Sequence, residues 1–364
     1  MGTIRLILAF AVLAGHARVL DFEILSGDAA VRGFFVISGF YMSLILTGKY
    51  AGRSKTLFYS SRLLRLYPGY LAALALQAVL LLAWDLHPLT TKDTVLFAYT
   101  ESGIVAVVHL FTNLLVFGQE ALYWLGVDLH GGGFFWSEPD GHGLSAFTLT
   151  MLPQAWALSV EFCFYLLAPF FVMRRTLILL ALMAASLAVR AAIYLHDPGY
   201  GEFMQRFLPS QLYLFIAGML AHRFYRHIIK KVWISRAGLP MLGVLVACIF
   251  CFDFMGVYRD AAFIVILSVS MPAVFLISKE NGLDRFMGRL SYPFYLLHFP
   301  LLTAYEYMAE SYSPALLLLL ICSCSVIMLL AIEYPVDRYR MRKYSRSWEA
   351  QPELVRLAPQ VSDG

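Results

Sequence analysis

Arg5-Leu-Ile-Leu-Ala-Phe-Ala-Val-Leu-Ala-Gly-His16 places ten uncharged, almost wholly apolar residues between an arginine and a histidine. A run this greasy suits the hydrocarbon core of a bilayer, where ionisable groups are costly and usually functional. As a helix, the step from Arg5 to His16 turns about 20° beyond three full turns and rises about 16 Å. The two side chains then share one face, with Arg5 at the water boundary and His16 near mid-membrane.

The remaining sequence extends this reading. Of 364 residues, 60% are hydrophobic and only 14% charged, with a mean hydropathy of +0.69. That composition excludes a soluble domain and implies an all-α, polytopic membrane protein. The apolar runs are continuous rather than alternating, which argues against a membrane β-barrel. Runs near the ~20 residues needed to cross fall at 4–20, 29–47, 66–84, 153–172, 176–195, 208–222, 239–254, 261–277, 290–306 and 314–333, so ten spans are expected.

Charge orients them. With the N-terminus cytoplasmic, the inner loops and tail collect most of the 28 basic residues, and only Arg18, Lys92, Arg206 and Arg259 fall in outer loops. This bias predicts both ends in the cytoplasm. It also explains the net charge of +4 without any nucleic-acid partner. Five cysteines, Cys163, Cys248, Cys251, Cys322 and Cys324, all lie in predicted spans, which argues against a disulfide framework. Cys248 and Cys251 share a helical face, but no second ligand pair follows, so no metal site is expected.

The expected organisation is one transmembrane domain over residues 1–342, followed by a short polar cytoplasmic tail over 343–364. Residues 85–152 form the long extracytoplasmic segment. Its apolar part, residues 95–117, would invert every later loop if it crossed, so a re-entrant or interfacial course is expected. The next tract, with Asp128, His130-Gly-Gly-Gly133, Glu138, Asp140 and His142, reads as a glycine-rich flexible lid. His-Gly-Gly-Gly resembles a hydrolase oxyanion loop, but no Gly-x-Ser-x-Gly elbow accompanies it.

Within the spans a few groups stand out. Ser38-Gly39 makes a small site for close helix packing. Arg62 and Arg65, three apart, point the same way on a helix. Glu161 lies deep in its span with Tyr165 one turn on; a buried carboxylate must be paired or protonated, so it is either a site residue or a hydrogen-bond hub. Ser291, Tyr295 and His298 share a face at i, i+4 and i+7. Arg32 and Arg190 lie near outer ends, where snorkelling is open to them.

Together and in order, these pieces resemble the membrane acyltransferase-3 family, which includes O-antigen, exopolysaccharide and Nod-factor O-acetylases. The likeness covers nearly the whole chain. It comprises Arg-x10-His (Arg5 to His16), Phe-Phe-Val-x-Ser-Gly-Phe (Phe34 to Phe40), Arg-x-x-Arg-x-x-Pro (Arg62 to Pro68) and Trp-x-Leu-x-x-Glu-x-x-Phe-Tyr (Trp156 to Tyr165). Ser-Tyr-x-x-Tyr-Leu-x-His (Ser291 to His298) and Glu-x-Pro (Glu333 to Pro335) complete it. Two departures are evident: Arg32 stands where members often have aspartate, and the leader before Arg5 is short. The extra C-terminal hydrolase-like domain of many relatives is not expected here. A cleaved signal peptide, which Arg5, the apolar core and Gly15-His16-Ala17 would otherwise suggest, would discard the family's arginine and histidine.

The resemblance implies an O-acyltransferase of the bacterial cytoplasmic (inner) membrane. It would pass an acyl group, most simply acetyl, from cytoplasmic acyl-CoA to a hydroxyl of a surface polysaccharide or lipid-linked glycan. Acyl-CoA is then a donor substrate and no resident cofactor is implied; membrane lipids and polysaccharide-assembly proteins are the expected partners. Arg5, Arg62 and Arg65, with Ser38, are the donor-side candidates, since arginine holds phosphate bidentately where lysine does not. His16 is the candidate general base, Glu161 a possible partner, and His298 and Tyr295 alternatives for the base or for orienting His16. A second reading makes the chain an acyl conduit serving a separate extracytoplasmic transferase. A solute transporter would show inverted repeats and broken helices, and neither is evident.

Overall fold

A computed structural model describes residues 1–17, 19, 24–128, 132–136, 144–228, 232–309 and 311–349. The helices are α1 (Gly2–Ala17), α2 (Gly27–Thr47), α3 (Lys55–Trp84), α4 (Lys92–Glu101), α5 (Gly103–Leu115), α6 (Ala155–Phe171) and α7 (Thr176–His196). They continue with α8 (Gly201–Arg206), α9 (Leu208–Ile228), α10 (Val232–Phe250), α11 (Arg259–Ser278), α12 (Gly282–Met308), α13 (Pro314–Met328) and α14 (Tyr334–Glu349). Each expected span overlaps a helix of the described residues. The segments Gly27–Thr47, Lys55–Trp84, Thr176–His196, Phe252–Ser278 and Pro314–Tyr344 are long and apolar enough to cross a membrane, and shorter apolar helices accompany them. The chain is a multi-pass helical membrane protein.

Side-chain caps set several starts: Ser26 accepts from the Ala29 amide, Ser54 from Thr56, and Asn281 from Leu283 and Asp284. Because of the Ser54 cap, α3 begins well before its apolar run, so Arg62 and Arg65 sit on a helix rather than in a loop.

α1 and α12 start together. Asp284 accepts hydrogen bonds from the amides of Gly2 (2.7 Å) and Thr3 (2.9 Å) and the Thr3 hydroxyl (2.9 Å), and it pairs with the Met1 ammonium at 2.8 Å. A carboxylate from one helix thus caps the other, satisfying amides that have no intrahelical acceptor. The joint needs bare backbone: a Cβ on Gly2 would lie 1.6 Å from the Asp284 carbonyl oxygen. From this joint the helices run parallel, and Gly2 to His16 spans as many residues as Asp284 to His298. Equal steps along parallel helices bring the two histidines to one level.

α2 crosses α9 through reciprocal glycines. A Cβ on Gly39 would stand 2.0 Å from the Phe215 carbonyl oxygen, and one on Gly218 would stand 1.9 Å from that of Val36. This is the close packing that small residues allow between membrane helices, and Ser38 sits beside it.

On the outer side, α4 and α5 are each too short to cross; α5 rises about 20 Å against the ~30 Å hydrocarbon core. Val95, Ala98, Val105, Leu122, Val127, Ala146 and Leu149 form a small core there. Phe97, Ile104, Val107, Leu110 and Phe111 face outward. Tyr67 and Tyr70 of α3 tie the end of α5 down by donating to the carbonyls of Leu114 and Asn113. Three short antiparallel strands, β1 (Leu125–Asp128), β2 (Gly133–Trp136) and β3 (Leu144–Ser145), form a sheet in the order β2-β1-β3 that the sequence reading did not foresee. His130, Glu138, Asp140 and His142 lie outside the described residues.

The C-terminal end also differs from expectation. A π-turn over Leu329–Glu333 joins α13 to α14, and α14 runs to Glu349 rather than giving way to a tail at 343. It lies along α3, where Tyr344 donates to Ser60 at 2.8 Å.

Candidate functional site

The first cluster draws on α1, α2, α3 and α6, with Arg5 in the first turn of α1. Ser38 and Tyr165 both donate to Oε1 of Glu161, Tyr165 at 2.5 Å, and their own oxygens are 3.2 Å apart. Tyr165 reaches Glu161 because residues four apart on a helix are neighbours. Ser38 arrives from α2, held by the Gly39 crossing.

Arg5 faces Arg65, Tyr41, Glu161 and Tyr165, and Arg62 faces Arg65 and Tyr165. Arg62 is buried and Arg65 exposed. None of the three arginines forms an ion pair among the described residues, and Arg62 Nε is enclosed with no partner. Converging guanidiniums without a bound carboxylate are suited to a polyanion such as a diphosphate.

Glu333 was not among the sequence candidates, yet it belongs here. It faces Arg65 and Arg5, and its Oε1 is enclosed without a hydrogen-bond partner among the described residues. The π-turn that ends on Glu333 sets its direction, and such turns are frequent at functional sites. Its signal in the sequence was Glu-x-Pro: the proline two residues on cannot donate a helical hydrogen bond.

The second cluster lies at the other end of α1, against α12. The rings of His16 and His298 stack at 5.7 Å and 21°, with Phe299 4.6 and 4.7 Å from them. His298 is fully buried. Its Nδ1 lies 2.6 Å from the Tyr295 carbonyl; a carbonyl only accepts, so Nδ1 carries the proton and Nε2 is the acceptor. That Nε2 is enclosed without a partner among the described residues. His16 is next to last in α1 and exposed, so it is not the deeply buried residue the sequence suggested. Its charged neighbour is Asp28, held by Gln205 at 2.8 Å. Glu161 instead belongs to the arginine cluster.

Tyr295 bridges the levels. Its ring is 5.6 Å from that of His298, and its hydroxyl donates to the Gln154 carbonyl at 2.8 Å. Gln154 Nε2 donates in turn to the Leu296 carbonyl at 2.8 Å. Pro300 has no N–H to give that carbonyl, so Gln154 takes its place and locks the start of α6 to the histidine turn of α12. Gln154 was also missed by the sequence reading, and a proline four residues after a carbonyl that must be satisfied is the cue that pointed to it.

The six quoted motifs therefore gather on one path, from the arginines through Glu161 and Tyr295 to the histidines. The family model for the acyltransferase-3 domain, described as an acyltransferase domain, matches residues 2–333. The chain belongs to the acyltransferase-3 family. No curated protein and no solved structure matches it. The acyltransferase-3 match takes in both clusters and ends at Glu333, so α14 lies beyond it. The protein is a membrane acyltransferase.

Proposed function

We propose that this acyltransferase takes an acyl group, most simply acetyl, from cytoplasmic acyl-CoA and places it on a hydroxyl of a surface polysaccharide or lipid-linked glycan at the bacterial inner membrane. The observation that carries this reading is the division of charge along α1: arginines with no ion pair among the described residues around Arg5, and a histidine pair at His16, about 16 Å higher. Arg5, Arg62 and Arg65 suit the donor's phosphates, and the extended pantetheine arm would carry the thioester away from them toward the histidines.

His16, the accessible imidazole, would take the acceptor's proton. The acceptor oxygen attacks the thioester carbonyl, the C–S bond breaks, and CoA leaves as the thiolate, which gains a proton. His298 is a positioning residue: its locked tautomer and fixed ring hold the face on which His16 rests. Ser38 and Tyr165 keep Glu161 directed at the arginine cluster. Glycan-assembly proteins are the partners this chemistry would use.

The separation of the clusters also suits the second reading, a conduit handing the acyl group to another transferase. Purified protein in liposomes, supplied with labelled acetyl-CoA inside and a glycan acceptor outside, tests both. Labelled glycan formed without a partner, and lost in His16→Ala with insertion unchanged, supports the transferase. Label released only when a second transferase is added overturns it in favour of the conduit.

A further inference from the structure

Arg32 and Arg190 stand apart from the path above. Both sit toward the outer ends of their helices, Arg32 on α2 and Arg190 on α7. Arg32 is 8% exposed, pairs with Asp260 at the start of α11, and has an enclosed Nε without a partner among the described residues. Arg190 faces Arg32, Asp260 and Tyr213, but its Nη1 is enclosed without a hydrogen-bond partner among the described residues. It therefore does not simply snorkel to water, as its position in the sequence allowed.

The charges do not balance: two guanidiniums stand near one carboxylate, and Asp260 is engaged by Arg32. α7 buries only Leu179 and Ser186 and otherwise presents an apolar surface outward. An uncompensated guanidinium enclosed on a lipid-facing helix is costly, and a phosphate would relieve the cost with charge-assisted hydrogen bonds. Access from the lipid side favours a phosphate that arrives on a lipid. Asp28, which faces His16, is one helical turn before Arg32 on the same helix.

We propose that Arg32 and Arg190, which lie on either side of Asp260, form a binding site for the phosphate of an outer-leaflet lipid. A polyprenyl-phosphate-linked saccharide held there would bring its sugar toward His16, an extension that rests on the function proposed above.

The test measures binding, not turnover, so it stands apart from the acyl-transfer reading. The purified full chain in phosphatidylcholine nanodiscs is titrated with polyprenyl diphosphate, phosphatidylglycerol and inorganic pyrophosphate. Arg190→Gln is expected to weaken lipid binding about tenfold, the loss of one charge-assisted contact. Asp260→Asn, which removes the competing carboxylate, is expected to tighten it; a merely structural ion pair predicts no such gain. Preference for the polyprenyl lipid assigns the site to the acceptor's carrier, and equal binding of phosphatidylglycerol assigns it to bulk headgroups. Binding unchanged within twofold in Arg190→Gln, weakened in Asp260→Asn, or confined to inorganic pyrophosphate overturns the proposal.

Discussion

Glu161 receives two hydroxyls on one oxygen, from Ser38 and Tyr165, and faces Arg5 across the cluster. The two donors share one acceptor, so their effects on acyl transfer should not add. In a cycle of Ser38→Ala, Tyr165→Phe and the double variant, we expect a coupling energy of about 0.5–3 kcal/mol in the transfer rate; additivity would show that the hydroxyls act separately. At this scale the sequence showed the residue types and their spacing within each helix, including Glu161 with Tyr165 and Ser291 with Tyr295 and His298. It could not show that Ser38 meets Glu161, or that Asp28 rather than Glu161 faces His16, because those contacts depend on how separate helices dock. Gln154 escaped because it answers a break in another backbone, at Pro300, and such a need appears only when the helices are assembled; Glu333 escaped because the π-turn that it ends is not written in the apolar periodicity.

Helix joints set the clusters' positions, and two of them can be tested directly. Gly39→Ala would place a methyl 2.0 Å from the Phe215 carbonyl oxygen. The α2–α9 crossing must then open, with a loss of about 1–3 kcal/mol or more, seen as a lower unfolding temperature in detergent and, through displaced Ser38, as slower transfer. At the α1–α12 joint, burial raises the Asp284 carboxyl but the Met1 ammonium and the Thr3 and Gly2 amides outweigh it, taking it from 3.8 down to about 2. A folded value below the unfolded one stabilises the protein above about pH 4, and that stabilisation fades as pH falls toward 2. Asp284→Asn should therefore lower stability near neutral pH by about 1–2 kcal/mol and flatten the acid loss in thermal unfolding followed from pH 5 to pH 2.5. Apolar periodicity located these helices well, but it underestimated α3 and α12, whose first turns are polar and are helical because Ser54 and Asn281 cap them. The small outer sheet was illegible because its strands are only two to four residues long.

Across the whole molecule, the inner cluster is rich in arginine and the outer one in histidine, and α1 and α12 connect them as parallel rods. If the arginines hold the donor phosphates, the protein has a donor side, and acyl-CoA should be consumed from that side alone. The prediction separates charge from geometry. Arg62→Lys keeps the positive charge but loses the planar fork, so the Michaelis constant for acyl-CoA should rise about tenfold while transfer at saturating donor changes little. His16→Ala should do the reverse, leaving donor affinity intact and abolishing product. Both are measured in sealed vesicles of known orientation, with donor supplied first outside and then inside. Equal use of acyl-CoA from either face would break the link between the arginine cluster and the donor. Transfer from the arginine face only, with the two variants splitting affinity from turnover, would show that the parallel rods of α1 and α12 give the reaction its direction.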